Sequence, residues 1–283
     1  MLMPMKTVIG LGEVLWDVFP ERKVLGGAPA NFAHYASQFG FKGCVVSAVG
    51  KDLPGKEILD VLAEKKLDFL IETVDYPTGE VKVTLNAQGI PQYEICENSA
   101  WDNIPFTKRT EELAQSCRAI CYGTLAQRNE TSRATIHRFL ESVPENAYKI
   151  FDINLRQHFY SKEIICHSLQ LCNILKMNEE EVVEMARLFG FAGMTEREIC
   201  LHLLKTYDLK IVVETKGAMG SYVFTADEES YLASPKISAA NTVGAGDSWI
   251  GTFVAALLNG ESIRSAHELA VKATAYKLSN PSF

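Results

Sequence analysis

No block of lysine and arginine occurs in this 283-residue chain, and 35 acidic residues against 28 basic ones leave a formal net charge of −7. An acidic surface without a basic stripe does not track phosphates, so nucleic acid and anionic membranes are excluded as natural partners. No apolar run is long enough to span a bilayer. The opening Met1 to Lys6 is short and turns at once into a strand pattern, so no signal peptide is expected, and the location is expected to be cytoplasmic. The seven cysteines form no Cys-x-x-Cys pair. Cys117 with Cys121 and Cys166 with Cys172 have spacings that could meet on helices, but no histidine cluster accompanies them. Reduced thiols are expected rather than disulfides or zinc. Internal repeats, low-complexity tracts and long linkers are also missing. There is no Gly-x-x-x-x-Gly-Lys-Ser/Thr, and Gly10-x-Gly12 has Leu15 where a dinucleotide fingerprint needs its third glycine.

What is present is a sequence 47% hydrophobic, enough for a substantial core. Strand-like apolar runs (44–49, 119–122, 149–153, 174–177, 211–215) alternate with helical patterns (55–66, 131–142, 195–207, 263–278). That alternation predicts an α/β fold with a mostly parallel sheet between helix layers. Two segments break the rhythm. Residues 13–25 read as short and extended; 79–96 alternate through Val81, Val83 and Leu85, turn at Gln88-Gly89, and return through Tyr93 and Ile95. These predict antiparallel strands with one apolar face, a small sheet beside the main one.

Two glycine-led helix starts carry the chemistry. Asn241-Thr-Val-Gly-Ala-Gly-Asp247 precedes the apolar run 248–258, so Gly244, Ala245 and Gly246 would expose backbone amides at a helix N-terminus, an anion site. Asp247 beside it could take a proton from an attacking hydroxyl, as phosphoryl transfer to an alcohol requires. By itself the pattern is equally a glycine turn with a capping Asp. Upstream, Gly26-Gly27-Ala-Pro-Ala-Asn31 opens a second helix, and Thr7 to Gly12 reads as a buried strand followed by Glu13-Val-Leu-Trp-Asp17. Asp17, just past a strand end, could accept hydrogen bonds from a polyol, or be an exposed turn carboxylate.

Together these segments resemble the PfkB, or ribokinase-like, carbohydrate kinase family, with its N-terminal Gly-Gly-x-x-x-Asn and C-terminal Asp-Thr-x-Gly-Ala-Gly-Asp. Further matches are Val49-Gly50-Lys51-Asp52-Leu-Pro-Gly55, Asp152-Ile-Asn154-Leu-Arg156, Lys176-Met-Asn178-Glu179-Glu180-Glu181 and Glu214-Thr215-Lys216-Gly217-Ala-Met-Gly220. Gly12 to Asp17 with Gly26 to Asn31 is most similar to the bacterial fructokinase branch. The resemblance implies a ribokinase-like three-layer α/β/α domain over 1–283, with a lid sheet from about 13–25 and 79–101. It also implies an ATP- and Mg²⁺-dependent transfer to a sugar hydroxyl, of fructose first. Another sugar, a keto-deoxy sugar acid or a nucleoside is the alternative, and a catalytically silent sugar sensor is a rival of another class.

The roles it implies are Asp247 as base with Gly244, Ala245 and Gly246 as donors, and Arg156 on substrate oxygens or developing charge. Asp17, Gly26, Gly27 and Asn31 would hold the sugar, and Asn178, Thr215, Gly217 and Gly220 would border the nucleotide. Glu181 would hold magnesium through water, against a reading in which Glu179 to Glu181 merely favour a first helical turn. Lys176 and Lys216 could add charge near ATP, surface lysines being the default. Asn241 and Val243 would belong to a monovalent-cation site, weakened because Asn241 stands where the family has Asp and because the chain ends early at Phe283. A homodimer through the lid is a further expectation.

Overall fold

The computed structural model describes residues 6–85, 91–237 and 242–280. In chain order its strands are β1 (Thr7–Leu11), β2 (Leu15–Val18), β3 (Lys23–Gly26), β4 (Lys42–Gly50), β5 (Asp68–Val74), β6 (Gly79–Leu85), β7 (Pro91–Ile95), β8 (Cys117–Tyr122), β9 (Tyr148–Asp152), β10 (Ile174–Asn178), β11 (Ile211–Thr215), β12 (Ser221–Phe224) and β13 (Glu229–Leu232). The α-helices are α1 (Ala28–Ser37), α2 (Leu53–Glu64), α3 (Lys108–Ser116), α4 (Glu130–Ser142), α5 (Lys162–Leu171), α6 (Glu179–Phe189), α7 (Glu196–Thr206), α8 (Ala245–Leu258) and α9 (Ile263–Ser279).

The main sheet has the order β13-β12-β11-β10-β9-β8-β1-β4-β5. It is parallel from β5 to β11, and β12 and β13 extend it as antiparallel strands. Side-chain alternation sets the layers. Ile9, Leu11, Ile120, Tyr122, Phe151, Leu175 and Val212 face the side covered by α3 to α7. Val8, Ala119, Cys121, Ile150, Ile174 and Val213 face the opposite side, covered by α1, α8 and α9. There α2 packs on Val45 and Val49 of β4. Near-continuous apolar strands are what a sheet buried on both faces demands.

The second sheet has the order β3-β2-β6-β7. Its two hairpins are antiparallel, but β2 pairs with β6 in parallel, where antiparallel strands were expected. The reason is that β2 leaves the end of β1 and β6 the end of β5, and those two strands run the same way. The expected Gln88-Gly89 turn lies outside the described residues. Asp52 holds the junction: its carboxylate caps α2 through the Gly55 amide at 2.8 Å, and accepts from the Thr78 amide and hydroxyl at 2.9 and 2.5 Å. The Gly50 to Gly55 motif thus anchors the start of β6 to the main sheet. On its far side Arg128 donates to both oxygens of Asp102 and to the Cys96 carbonyl, its guanidinium packed over Trp101 and Phe159.

α8 is buried almost all round, from Ser248 to Ala256. A helix apolar on every face belongs inside, and here it lies between α1, α9 and the sheet. His267 of α9 ties this layer to the antiparallel edge, its ring nitrogens 2.8 Å from Ser221 Oγ and 2.9 Å from Ser230 Oγ. All seven cysteines are free.

Burial, and after it the Arg264 charge, lowers the His267 imidazole from 6.5 to about 4. The unfolded chain therefore takes up this proton first, and the His267 contribution to stability declines as pH falls from about 6.5 to about 4. NMR of the ring at pH 6 should find it neutral; a protonated ring there contradicts the packing described.

Candidate active site

Beyond the carboxyl ends of the parallel strands lies a cleft of about 1660 Å³, the place where open α/β sheets bind ligands. Lys176 lines its floor, backed by a buried ion pair. Asp152 ends β9 and Lys176 is its register partner on β10. Both side chains point to the α8 face, the face of Ile150 and Ile174, and Lys176 Nζ donates to Asp152 Oδ1 at 2.9 Å. The pair is almost fully buried, at 7% and 4% side-chain exposure. Burial alone would lower the Lys176 ammonium, but Asp152, Glu181 and Asp247 around it outweigh that and hold it charged. It lies directly under the start of α8: a Cβ built on Gly246 would be 3.0 Å from Lys176 Nζ.

Gly244 caps α8 in the left-handed region, at φ 73°, which lets the chain turn into the helix with glycine's freedom. First-turn amides of a helix have no intrahelical partner, so those of Gly246 and Asp247 face the cleft end of α8, above the ammonium. Asp247 sits in that first turn. Burial, then the Asp152 charge, pushes its carboxyl up to about 6, while Asn31, Lys176 and Arg156 pull it down. Asn31 Nδ2 donates to Asp247 Oδ2 at 2.8 Å.

That bond joins the two glycine-led helix starts. Gly27, at φ 118°, caps α1, and a methyl group on it would run into the Glu13 carbonyl oxygen. α1 packs along α8, so both N-termini open on the same cleft. Gly26 ends β3 against the Asp17 carboxylate: a Cβ there would be 2.6 Å from Asp17 Oδ2. Asp17 lines the cleft from β2 rather than standing on an exposed turn; burial raises its carboxyl, and Arg156 lowers it. Arg156 is exposed on the loop after β9, bonded to the Leu155 carbonyl, and its charge acts on Asp17, Glu13 and Asp247.

On the opposite wall, Thr215 ends β11 and the loop Gly217 to Gly220 crosses to β12; Thr215, Gly217 and Gly220 all line the cleft. Asn178 caps α6 by accepting from the Glu181 amide at 2.8 Å. Glu181 returns the favour. Its Oε2 accepts from the Asn178 amide at 2.7 Å and its Oε1 from the Leu155 amide at 3.0 Å. The carboxylate expected to hold magnesium thus first holds the helix start, while Glu179 Oε2, also in the cleft wall, is buried without a partner among the described residues. Among those residues no cluster of three or more His, Cys, Asp or Glu side chains forms a metal cage. A Mg²⁺ that keeps its waters and leans on phosphate oxygens needs no cage, and the Glu179 and Glu181 carboxylates at the cleft wall fit such an ion.

Lys176 corrects the surface default for lysines; Lys216 pairs with Glu196 and with Glu214 at 3.2 Å. Asn241 lies outside the described residues. Val243 lines the cleft, and its carbonyl accepts from the Lys277 ammonium. Sequence reasoning offered Lys176 as a charge near ATP but missed its pairing with Asp152, for which the shared strand-end position was the available signal, and it missed Glu13, two residues past β1. It also missed Lys277 and an apolar wall of Ile237, Val271, Ala275 and Leu278. The buried Trp16 and Trp101 and the half-buried Phe106 do not line the cleft.

The profile of the pfkB family carbohydrate kinases matches residues 11–282. The chain belongs to this family. Its members are phosphotransferases acting on a sugar hydroxyl, and this chain is a sugar kinase of that kind. The kinase is 28% identical over 271 residues to a fructokinase of Escherichia coli, a match covering 89% of this chain and 83% of that one. An ATP-dependent 6-phosphofructokinase of Thermoanaerobacterium thermosaccharolyticum is 25% identical over 291 residues, 96% of this chain and 87% of the relative. Among solved structures, a fructokinase from Xylella fastidiosa with bound ATP superimposes with a TM-score of 0.83 at 18% identity, over 98% and 93% of the two chains. The fold of the kinase is therefore the ribokinase-like α/β arrangement.

Replacing Lys176 by Met would strand a buried Asp152 charge beneath α8. Denaturant unfolding should show a loss of about 3–5 kcal/mol; a loss below about 1 kcal/mol would mean that the pair is not buried as described.

Proposed function

We propose that the kinase transfers the γ-phosphoryl group of ATP to a primary hydroxyl of fructose. The observation that carries this reading is the Asp247 carboxylate, raised by burial and held by Asn31 where two helix N-termini meet. A base with a pKa near 6 is mostly ionised at neutral pH yet still basic enough to take a hydroxyl proton.

ATP supplies the phosphoryl group, and Mg²⁺ offsets its charge. The backbone amides of Gly246 and Asp247 face the transferred group and Gly244 makes the turn that presents them, whereas the Ala245 amide expected beside them donates to the Thr242 carbonyl at 3.1 Å; the Lys176 ammonium beneath Gly246 adds positive charge there. Thr215, Gly217 and Gly220 would border the phosphates, Asn178 shapes that wall, and Glu181, with Glu179 beside it, would hold Mg²⁺ through water. Ile237, Val271, Ala275 and Leu278 offer the apolar wall a nucleobase needs. At the other end Asp17, Gly26, Gly27 and Asn31 hold the sugar, with Arg156 reaching its oxygens or the developing charge. The carboxylates gathered there favour an uncharged polyol acceptor. The E. coli relative, a fructokinase, supports fructose among such polyols.

The small sheet closes this end as a lid. Leu15, Val24, Val81, Tyr93 and Ile95 line the cleft from it, and Gln157 Nε2 donates to the Tyr93 carbonyl at 2.8 Å, latching β7 to the loop that carries Arg156. Closure excludes the water that would otherwise attack ATP. With Lys277 on the Val243 carbonyl, potassium is expected to stimulate little.

ADP release is measured against fructose, other hexoses, ribose, fructose 6-phosphate, keto-deoxygluconate and nucleosides, with Mg²⁺ and K⁺ varied. Fructose should be the preferred acceptor. Preference for another acceptor keeps Asp247 and discards fructose, and silence across the panel with sugar binding retained makes the protein a sensor. Asp247→Asn should lower kcat by about 10²-fold or more, and kcat should fall as pH drops through about 6, where Asp247 takes up its proton. Normal turnover by the variant contradicts the role of base.

A further inference from the structure

Glu13 is spent by none of the roles above. It lies past the end of β1, where the chain crosses to the small sheet, and is 2% exposed. It lines the cleft between the Gly27 turn and the Asp247 end of α8. The backbone amides of Ala28 and of Glu13 itself face its carboxyl, yet its Oε2 has no partner among the described residues. A buried polar oxygen left without a partner costs about 1–3 kcal/mol, so a position that keeps one in a binding cleft has a use for it.

We infer that Glu13 is a further acceptor-binding residue, whose free carboxyl oxygen takes a sugar hydroxyl other than the one phosphorylated. Burial pushes its carboxyl up to about 7, with Arg156 lowering and Asp247 raising it. Near neutral pH the group can thus both donate to and accept from a hydroxyl, a versatility that a polyol matches and an apolar or anionic substituent does not. Asp17 and Glu13 then hold the acceptor from two sides of the Gly26-Gly27 turn while Asp247 addresses the reacting hydroxyl. A second hydroxyl fixed in this way makes sugar recognition sharp, because an analogue lacking it leaves the buried carboxyl unpaired.

This inference rests on the sugar-kinase reading, and the test separates the two. Acceptor KM and kcat are compared for the unaltered kinase, Glu13→Gln and Glu13→Ala, using the best acceptor of the panel and its single-deoxy analogues. Glu13→Ala should raise acceptor KM about tenfold or more with a much smaller change in kcat, and Glu13→Gln should recover most of the loss. One deoxy analogue, already poor with the unaltered kinase, should lose nothing further in Glu13→Ala. An unchanged KM, or the same added loss for every analogue, overturns the inference. So does a KM rise that tracks equal losses in ATP affinity and melting temperature, the mark of a purely structural anchor for α1. If Glu13→Ala does not fold, Glu13→Asp, which keeps the acid and shortens its reach, takes its place. If no acceptor is turned over, the kinase reading has failed by itself. Melting shifts induced by the panel sugars alone are then compared between the unaltered chain and Glu13→Ala: a shift lost in the variant supports the inference, and a shift kept, or none in either protein, overturns it.

Discussion

A lysine and an aspartate paired in the dry interior, Lys176 with Asp152, govern the organisation of the site. A buried ion pair is seldom a gain in stability over apolar side chains of the same size. Its place here makes sense through position: it plants a fixed ammonium beneath the N-terminus of α8, where the helix dipole is already positive. Everything near it is tuned by that charge. Asp247 is raised by burial and by Asp152 but restrained by Lys176, and Glu181 is raised by burial but lowered by the same ammonium. The parallel sheet supplies the pair because neighbouring strands in register bring Asp152 and Lys176 side by side at the cleft end.

Around this floor the fold repeats one device, a strand end followed by a turn and a helix start. α1, α6 and α8 all open on the cleft, capped by Gly27, Asn178 and Gly244. Gly27 lets the Glu13 carbonyl lie against the chain and Gly244 makes the left-handed turn into α8; the Asn178 and Glu181 capping box instead stiffens the wall between. The His267 bonds to Ser221 and Ser230 hold β12 and β13 on α9, and so fix the loop ending at Gly220 that faces the cleft. Such walls, with the small sheet beside them, form the enclosed surroundings that transfer in a water-free site requires.

Much of this was legible in the sequence because the signals were local. Continuous apolar runs marked most main strands, and glycine clusters before apolar helices marked the two helix starts. α3, α5, β5, β12 and β13 were not found: α3 buries only Thr110 and Ala114, and the outer edge strand β5 leaves most of its residues at least partly exposed, so neither of these two has a strong apolar period. The parallel pairing of β2 with β6 depends on where two distant insertions leave the main sheet, which no local pattern encodes. The same holds for the site. Asp247, Asn31 and Asp17 stood in recognisable spacings and Lys176 was offered as a charge near ATP, whereas its pairing with Asp152 and the role of Glu13 depend on tertiary burial that no local pattern encodes.

Phosphorus NMR of the products formed from ATP, Mg²⁺ and fructose reads the central claim most directly, because it reports where the phosphoryl group goes. The account predicts a fructose phosphomonoester on a primary hydroxyl, appearing one for one with ADP. Accumulation of ADP with inorganic phosphate alone would show that water, and not a sugar hydroxyl activated by Asp247, receives the group at the head of α8.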